Sequence, residues 1–126
     1  MKPEYVTFQQ AVWLKEIGFN VNTSTCFHSL LGDVIEAPMD WDNDRGYLVR
    51  PEQHEVVEWI RINYGIWIGV EFLGGIRVNN PIMFNAEIRY IKEVPNLIQN
   101  INGFHTPQQA YSAAFDYIKD NNLIKQ

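Results

Sequence analysis

The chain has 126 residues, 46% of them hydrophobic and 13% aromatic, with Lys+Arg 10 against Asp+Glu 15 for a net charge of −5. That length suits a single domain over residues 1–126, and the composition excludes disordered, collagen-like and disulfide-scaffold classes. The acidic balance counts against a general nucleic-acid binder, so no direct nucleic-acid contact is expected.

Thr7 with Gln10 three residues later is a capping box, and it opens a helix through Phe8, Ala11, Trp13, Leu14 and Ile17. Gly18 supplies the left-handed stop, after which Phe19 can fold back over the last turn. Residues 26–31 and 47–49 are the next strand candidates. Pro51, which has no N–H to leave unpaired, is expected at the first position of a second helix. Val56, Val57, Ile60 and Tyr64 recur along it at helical spacing until Gly65 ends it. The period then switches to two. Ile66, Ile68, Val70 and Phe72 alternate with Trp67, Gly69, Glu71 and Leu73, and Gly74-Gly75 turns the chain, with a short strand expected at residues 76–78. Ile82, Phe84, Ala86, Ile88 and Tyr90 alternate with Met83, Asn85, Glu87, Arg89 and Ile91 in the same way. Residues 95–102 are expected as a loop. Thr106, Pro107 and Gln109 open a third helix with cap, first-turn Pro and capping-box Gln together, and Ala110, Ala113, Ala114, Tyr117 and Ile118 form its apolar face. The expected order α-β-β-α-β-β-α is that of an α+β fold, an antiparallel sheet with three helices packed mainly on one face.

Cys26 is the only cysteine, which leaves no partner for an intrachain disulfide and suits a reducing compartment. Met1-Lys2-Pro3-Glu4-Tyr5 lacks the apolar stretch of a signal peptide. The longest apolar run, residues 66–73, is broken by Gly69 and Glu71 and falls far short of the ~20 residues a membrane helix needs. A cytoplasmic location away from membranes is therefore expected.

Val6-Thr7-Phe8-Gln9-Gln10-Ala11, then Leu14-Lys15-Glu16 and Gly18-Phe19, resembles the N-terminal helix of small phage- or prophage-associated proteins of unknown function from gut bacteria. Tyr47, Pro51, Gln53, Val57, Trp59-Ile60-Arg61, Tyr64-Gly65-Ile66 and Ile68 resemble their central segment, and residues 106–110 with Ala113-Ala114 their terminal helix. The resemblance implies a phage or mobile-element setting. It implies no catalytic residues, because those proteins have no established activity to carry over. Residues 22–44 depart most from the pattern.

The charge is unevenly placed. Residues 33–58 hold eight acids (Asp33, Glu36, Asp40, Asp42, Asp44, Glu52, Glu55 and Glu58) and two bases, a net −6, and the remainder of the chain is close to neutral. Within that segment Asp40-x-Asp42-x-Asp44 sets carboxylates where the first three ligands of a calcium loop stand, and Gly46 and Glu52 each fall one residue later than such a loop requires. No cofactor is expected, and Asp40, Asp42, Asp44 and Glu52 are the candidate metal ligands under the alternative in which this loop holds Ca. A solvated turn rich in Asp and Asn accounts for the same residues without a metal. His54-Glu55-Val56-Val57-Glu58 lies one residue from the zinc-peptidase motif, since position 58 would have to be His. Carboxylates in a helix's first half also follow from its dipole alone. Cys26 and His28, two apart on a strand, share a face as a minimal thiol–imidazole pair, yet a free cysteine is more often simply packed.

Trp67 and Leu73 point away from the face made by Ile66 and Ile68, and Met83 and Ile91 take the matching face of the later strand. With helices on the other side, Trp67, Leu73, Met83 and Ile91 are the expected interaction surface, rimmed by Glu71, Glu87 and Arg89. The chain is thus expected to be non-enzymatic, with no catalytic residues, acting through an unidentified protein partner or as a homodimer. A metal-binding protein using the acidic loop, and an acidic decoy of a nucleic-acid-binding host protein, are the alternatives.

Overall fold

In a computed structural model, residues 4–19, 21, 23, 25–28, 32–36, 47–72, 83–92 and 96–124 are described. The elements run α1 (Phe8–Glu16), β1 (Thr25–His28), β2 (Val34–Glu36), β3 (Tyr47–Val49), α2 (Gln53–Tyr64), β4 (Ile66–Phe72), β5 (Phe84–Tyr90), β6 (Asn96–Phe104) and α3 (Pro107–Asp120). The fold is α+β, with three helices and antiparallel strands.

The strands divide between two three-stranded sheets, β2-β1-β3 and β4-β5-β6, where a single sheet was expected. Two of these strands had not been anticipated: β2, and β6 in place of the loop expected at residues 95–102. Register explains why β6 escapes a period-two reading. Arg89 pairs with Leu97 but Ile88 with Gln99, and Asn85 pairs with Asn102 but Phe84 with Phe104, so Ile98 and Gly103 are extra residues opposite β5. Each shift resets the alternation, as a bulge does. Gly103 has φ +100, a conformation that suits glycine at such an insertion. The partly buried apolar residues of β6 therefore fall at Ile98, Ile101 and Phe104, a spacing of three that does not look like a strand. The strand expected at residues 76–78 lies outside the described residues.

The helix ends follow the local chemistry closely. Thr7 Oγ1 accepts from the Gln10 N–H at 3.1 Å and the Thr7 N–H donates to Gln10 Oε1 at 3.0 Å, so the capping box is complete. At the other end the Gly18 N–H reaches Lys15 O and the Phe19 N–H reaches Leu14 O, the paired bonds of a Schellman stop. Pro51 is not the first residue of α2, contrary to expectation: Glu52 is the N-cap and the helix begins at Gln53. The cause is an extended pairing of residues 4–6 with 51–53. Pro51 O accepts the Val6 N–H at 3.1 Å and the Gln53 N–H donates to Glu4 O at 2.8 Å, which keeps Pro51 extended. On α3, Pro107 does take the first turn and Thr106 Oγ1 accepts the Gln109 N–H. The Gln109 side chain turns back to the His105 N–H at 3.0 Å and so caps one residue earlier than a capping box would.

α3 lies across β4, β5 and β6, burying Ala110, Ala114, Phe115 and Ile118 against a sheet face that includes Ile66, Ile68, Ala86 and Ile88. Two alanines at helical spacing let its backbone come close to that face. α2 packs on β4 and α3, and α1 on β3 and α3, so α1 links the smaller sheet to the rest of the core. Phe8 meets Phe27 of β1 edge-on, with ring centroids 5.7 Å apart.

Two buried glutamines tie the helices together. Gln10, 1% exposed, donates from Nε2 to Ser112 O at 3.1 Å, Ser112 Oγ at 2.9 Å and Asp116 Oδ1 at 3.2 Å, all on α3. Gln53 Nε2 donates to Gln108 O at 3.1 Å. Removing the Gln10 amide strands buried acceptors and opens the cap. Gln10→Ala is therefore expected to lower unfolding free energy by about 2–3 kcal/mol, read as a shifted urea midpoint. Gln10→Glu sets a second carboxylate beside Asp116 and should be worse than Gln10→Ala at neutral pH. Burial and the neighbouring acid raise the new carboxyl's pKa on folding, so the folded state binds the extra proton and the gap between the two variants narrows as pH falls.

Candidate functional site

The outward side of α2 carries a groove of about 350 Å³. Val56 and Ile60 face the core, and the stripe Glu55, Glu58, Trp59 and Ile62, at helical spacing, lines the groove together with His54. The opposite wall is Phe19 and Val21, which follow the α1 stop. Gly18, at φ +93, turns the chain so that Phe19 lies edge-on against Trp59, with centroids 5.0 Å apart at 70°. Trp59 meets Tyr64 in a second edge contact at 5.4 Å, and the Tyr64 hydroxyl donates to Ile17 O at 2.8 Å, binding the end of α2 to the end of α1. The groove's two sides are therefore held together by contacts between the ends of α1 and α2. Ile62 is 60% exposed and stands off the buried stripe of its own helix.

The rim is acidic. Arg61 Nε donates to Glu58 Oε2 at 3.2 Å and its NH2 group contacts Oε1, and this guanidinium holds the Glu58 carboxyl below the usual carboxylate range. The pair is exposed, the setting in which ion pairs contribute least. At the start of α2, ligand-type atoms of Glu52, His54 and Glu55 all lie within 4.8 Å of one another. His54 Nε2 contacts the Glu52 carboxylate, and Glu55 Oε1 accepts the Glu52 N–H at 3.1 Å, the return arm of a capping box. Helix capping thus accounts for this proximity without a metal. Of the expected metal ligands, Asp40, Asp42 and Asp44 lie outside the described residues, and Glu52 sits at the N-cap of α2.

The expected sheet-face residues are spread over the length of β5. Trp67 is 37% exposed and pairs in register with Arg89, which pairs with Leu97. Ile91, also exposed, follows the end of β5 beside them, so Trp67, Ile91 and Leu97 cluster at one end of the sheet around Arg89 and its partner Glu87. Met83 is half-buried before the other end of β5, with its methyl near Gly103. Leu73 lies outside the described residues. Leu97 was missed because its strand reads as a loop. Neither the groove's far wall nor its depth has a local signature, although Ile62, apolar and off the Val56–Ile60–Tyr64 stripe, is a readable sign of it.

Cys26 is fully buried in β1, and burial pushes its thiol pKa up, away from nucleophilic use. Among the described residues no helix is long and apolar enough to cross a membrane. Comparison with protein-family models, curated proteins and solved structures finds no match to this chain.

The burial of Cys26 has a direct readout. The folded protein should react with a disulfide-exchange thiol reagent only as fast as it opens, and one full equivalent should appear promptly in denaturant. Rapid stoichiometric labelling of the folded chain would show an accessible thiolate instead.

Proposed function

We propose that this chain is a small, non-enzymatic cytoplasmic protein that acts by contact with another protein, and that the α2 groove is the contact site. The observation that carries the reading is the open apolar groove between Trp59 and Ile62 of α2 on one side and Phe19 and Val21 on the other. A concave, apolar and largely preformed surface with a few polar groups at its edge is the usual form of a recognition site. The buried Cys26 supports a binding role over covalent catalysis, and one unpaired cysteine suits a reducing compartment. The sequence resemblance to small phage-associated proteins supplies the setting, an accessory role in a phage or mobile element.

A photo-crosslinking residue at Ile62 tests the contact in the producing cell. One discrete adduct is expected from position 62, and none from the same residue at Asn102, an exposed site on β6. Equal labelling from both positions, or none from position 62, would remove the reading.

A second reading, self-association, is supported by the exposed cluster of Trp67, Ile91 and Leu97. Light scattering at tens of micromolar should then give twice the monomer mass for the parent chain and the monomer mass for Trp67→Ala. A monomer in both cases leaves the groove as the contact surface.

A further inference from the structure

The chemistry of the groove narrows what the partner presents. We propose that it receives a basic side chain, Arg or Lys, from an exposed segment of the partner protein, with its aliphatic stem on Trp59 and Ile62 and its cationic head at Glu55 and Glu58. This rests on the contact reading above and goes further by specifying the occupant.

Three observations select a cation. First, the groove is about 350 Å³, at the small end of ligand pockets, so it takes one or two side chains and not a whole helix face. Second, its apolar wall ends in carboxylates. Glu55 and Glu58 line the groove, with Glu52 just before them at the N-cap. Among the described residues their basic partners are Arg61 on Glu58 and His54 on Glu52, so three carboxylates face one permanent cation and the rim stays negative. Any occupant that covers Ile62 and Trp59 also strips water from Glu55 and Glu58. A neutral apolar residue leaves those charges desolvated without compensation, and an acidic one adds repulsion; a cation compensates them. Third, Arg and Lys are the side chains with an apolar stem behind a charged head, which matches the order of surfaces from wall to rim. Trp59 favours a guanidinium over an ammonium, since Arg stacks on aromatic rings as well as pairing with carboxylates. The Arg61–Glu58 pair does not close the site, because it is exposed and a partner's guanidinium can replace Arg61 on the same oxygens.

The test is selection of a displayed random heptapeptide library on the immobilised full-length chain. Retained peptides are expected to be enriched in Arg, then Lys, beside a large apolar residue. Their binding should weaken by about threefold for each carboxylate removed in Glu55→Gln and Glu58→Gln, the size of effect such pairs carry. Glu55→Gln keeps a side-chain acceptor for the Glu52 N–H, and Glu58 is exposed, so both variants should keep the fold, as far-UV dichroism checks. Ile62→Asp separates the groove from unspecific attraction to an acidic protein. It adds negative charge, so unspecific retention of basic peptides would hold or rise, whereas retention in the groove should be lost. Peptides without basic enrichment, or basic peptides unaffected by Ile62→Asp, would overturn the proposal. In either case crosslinking at position 62 can still succeed, because it reports contact and not the chemistry of the occupant.

Discussion

The side chain of Gln10 is asked to do two things at once, and the arrangement of the helices follows from that. Its Oε1 closes the capping box at the start of α1, while its Nε2 reaches three oxygens on α3 in a site from which water is almost excluded. A buried amide left half-satisfied costs more than it contributes, so both ends must be met together. This fixes where the first turn of α1 can lie against the second and third turns of α3. The far end of α1 is fixed as well, by the Tyr64 hydroxyl on Ile17 O. A nine-residue helix pinned at both ends has little freedom to pivot. The residues that leave it, Gly18 and Phe19, are then delivered to one place beside Trp59. The groove is in this sense a consequence of two hydrogen-bonded contacts, one at each end of α1.

The acidic character of the chain is also organised by helix geometry. Glu52 and Glu55 sit where the unpaired N–H groups and the dipole of α2 favour negative charge, so their placement is stabilising for the helix before any partner is considered. Arg61 then falls in the last turn, where a cation is favoured, and its spacing lets it reach Glu58. The same distribution leaves the N-terminal half of the exposed face negative and puts that charge at the edge of an apolar depression. Helix stability and surface chemistry thus arise from one pattern of residues, which is why the charges alone do not distinguish a capped helix from a binding rim. The apolar wall beside them does.

What could be read from the sequence was what is decided locally. Thr7, Gln10 and Gly18 around α1, Gly65 after α2, and Thr106 with Pro107 before α3 act on backbone groups within a few residues, and each marks the helix end it was expected to mark. The alternations in β4 and β5 were legible for the same reason. Pro51 shows the limit, since its local preference for a first helical turn yields to a pairing with residues 4–6 that no window around it contains. The division of strands between two sheets and the strand nature of β6 were hidden similarly, the second because register shifts at Ile98 and Gly103 break the period that identifies a strand. In the candidate site the carboxylates and Trp59 stood out by type. Their meeting with Phe19 and Val21 depends on how α1 is anchored, which is a long-range matter.

Both candidate surfaces expose large apolar side chains, and packing distinguishes them. On the outer face of β4, the ring of Trp67 folds down over Gly69, where a Cβ would collide with it, so part of its apolar area is already covered by its own strand. Its register neighbour Arg89 is engaged with Glu87. That face carries an aromatic residue partly covered within the molecule and edged by a paired charge. Ile62 has no comparable cover: it projects from α2 past Trp59, and the wall opposite it is supplied by Val21, itself exposed. A partner gains most where apolar area is both open and concave, because the same side chain then loses water on several sides at once. By that criterion the sheet face can strengthen an association, while the groove on α2 is where one would begin.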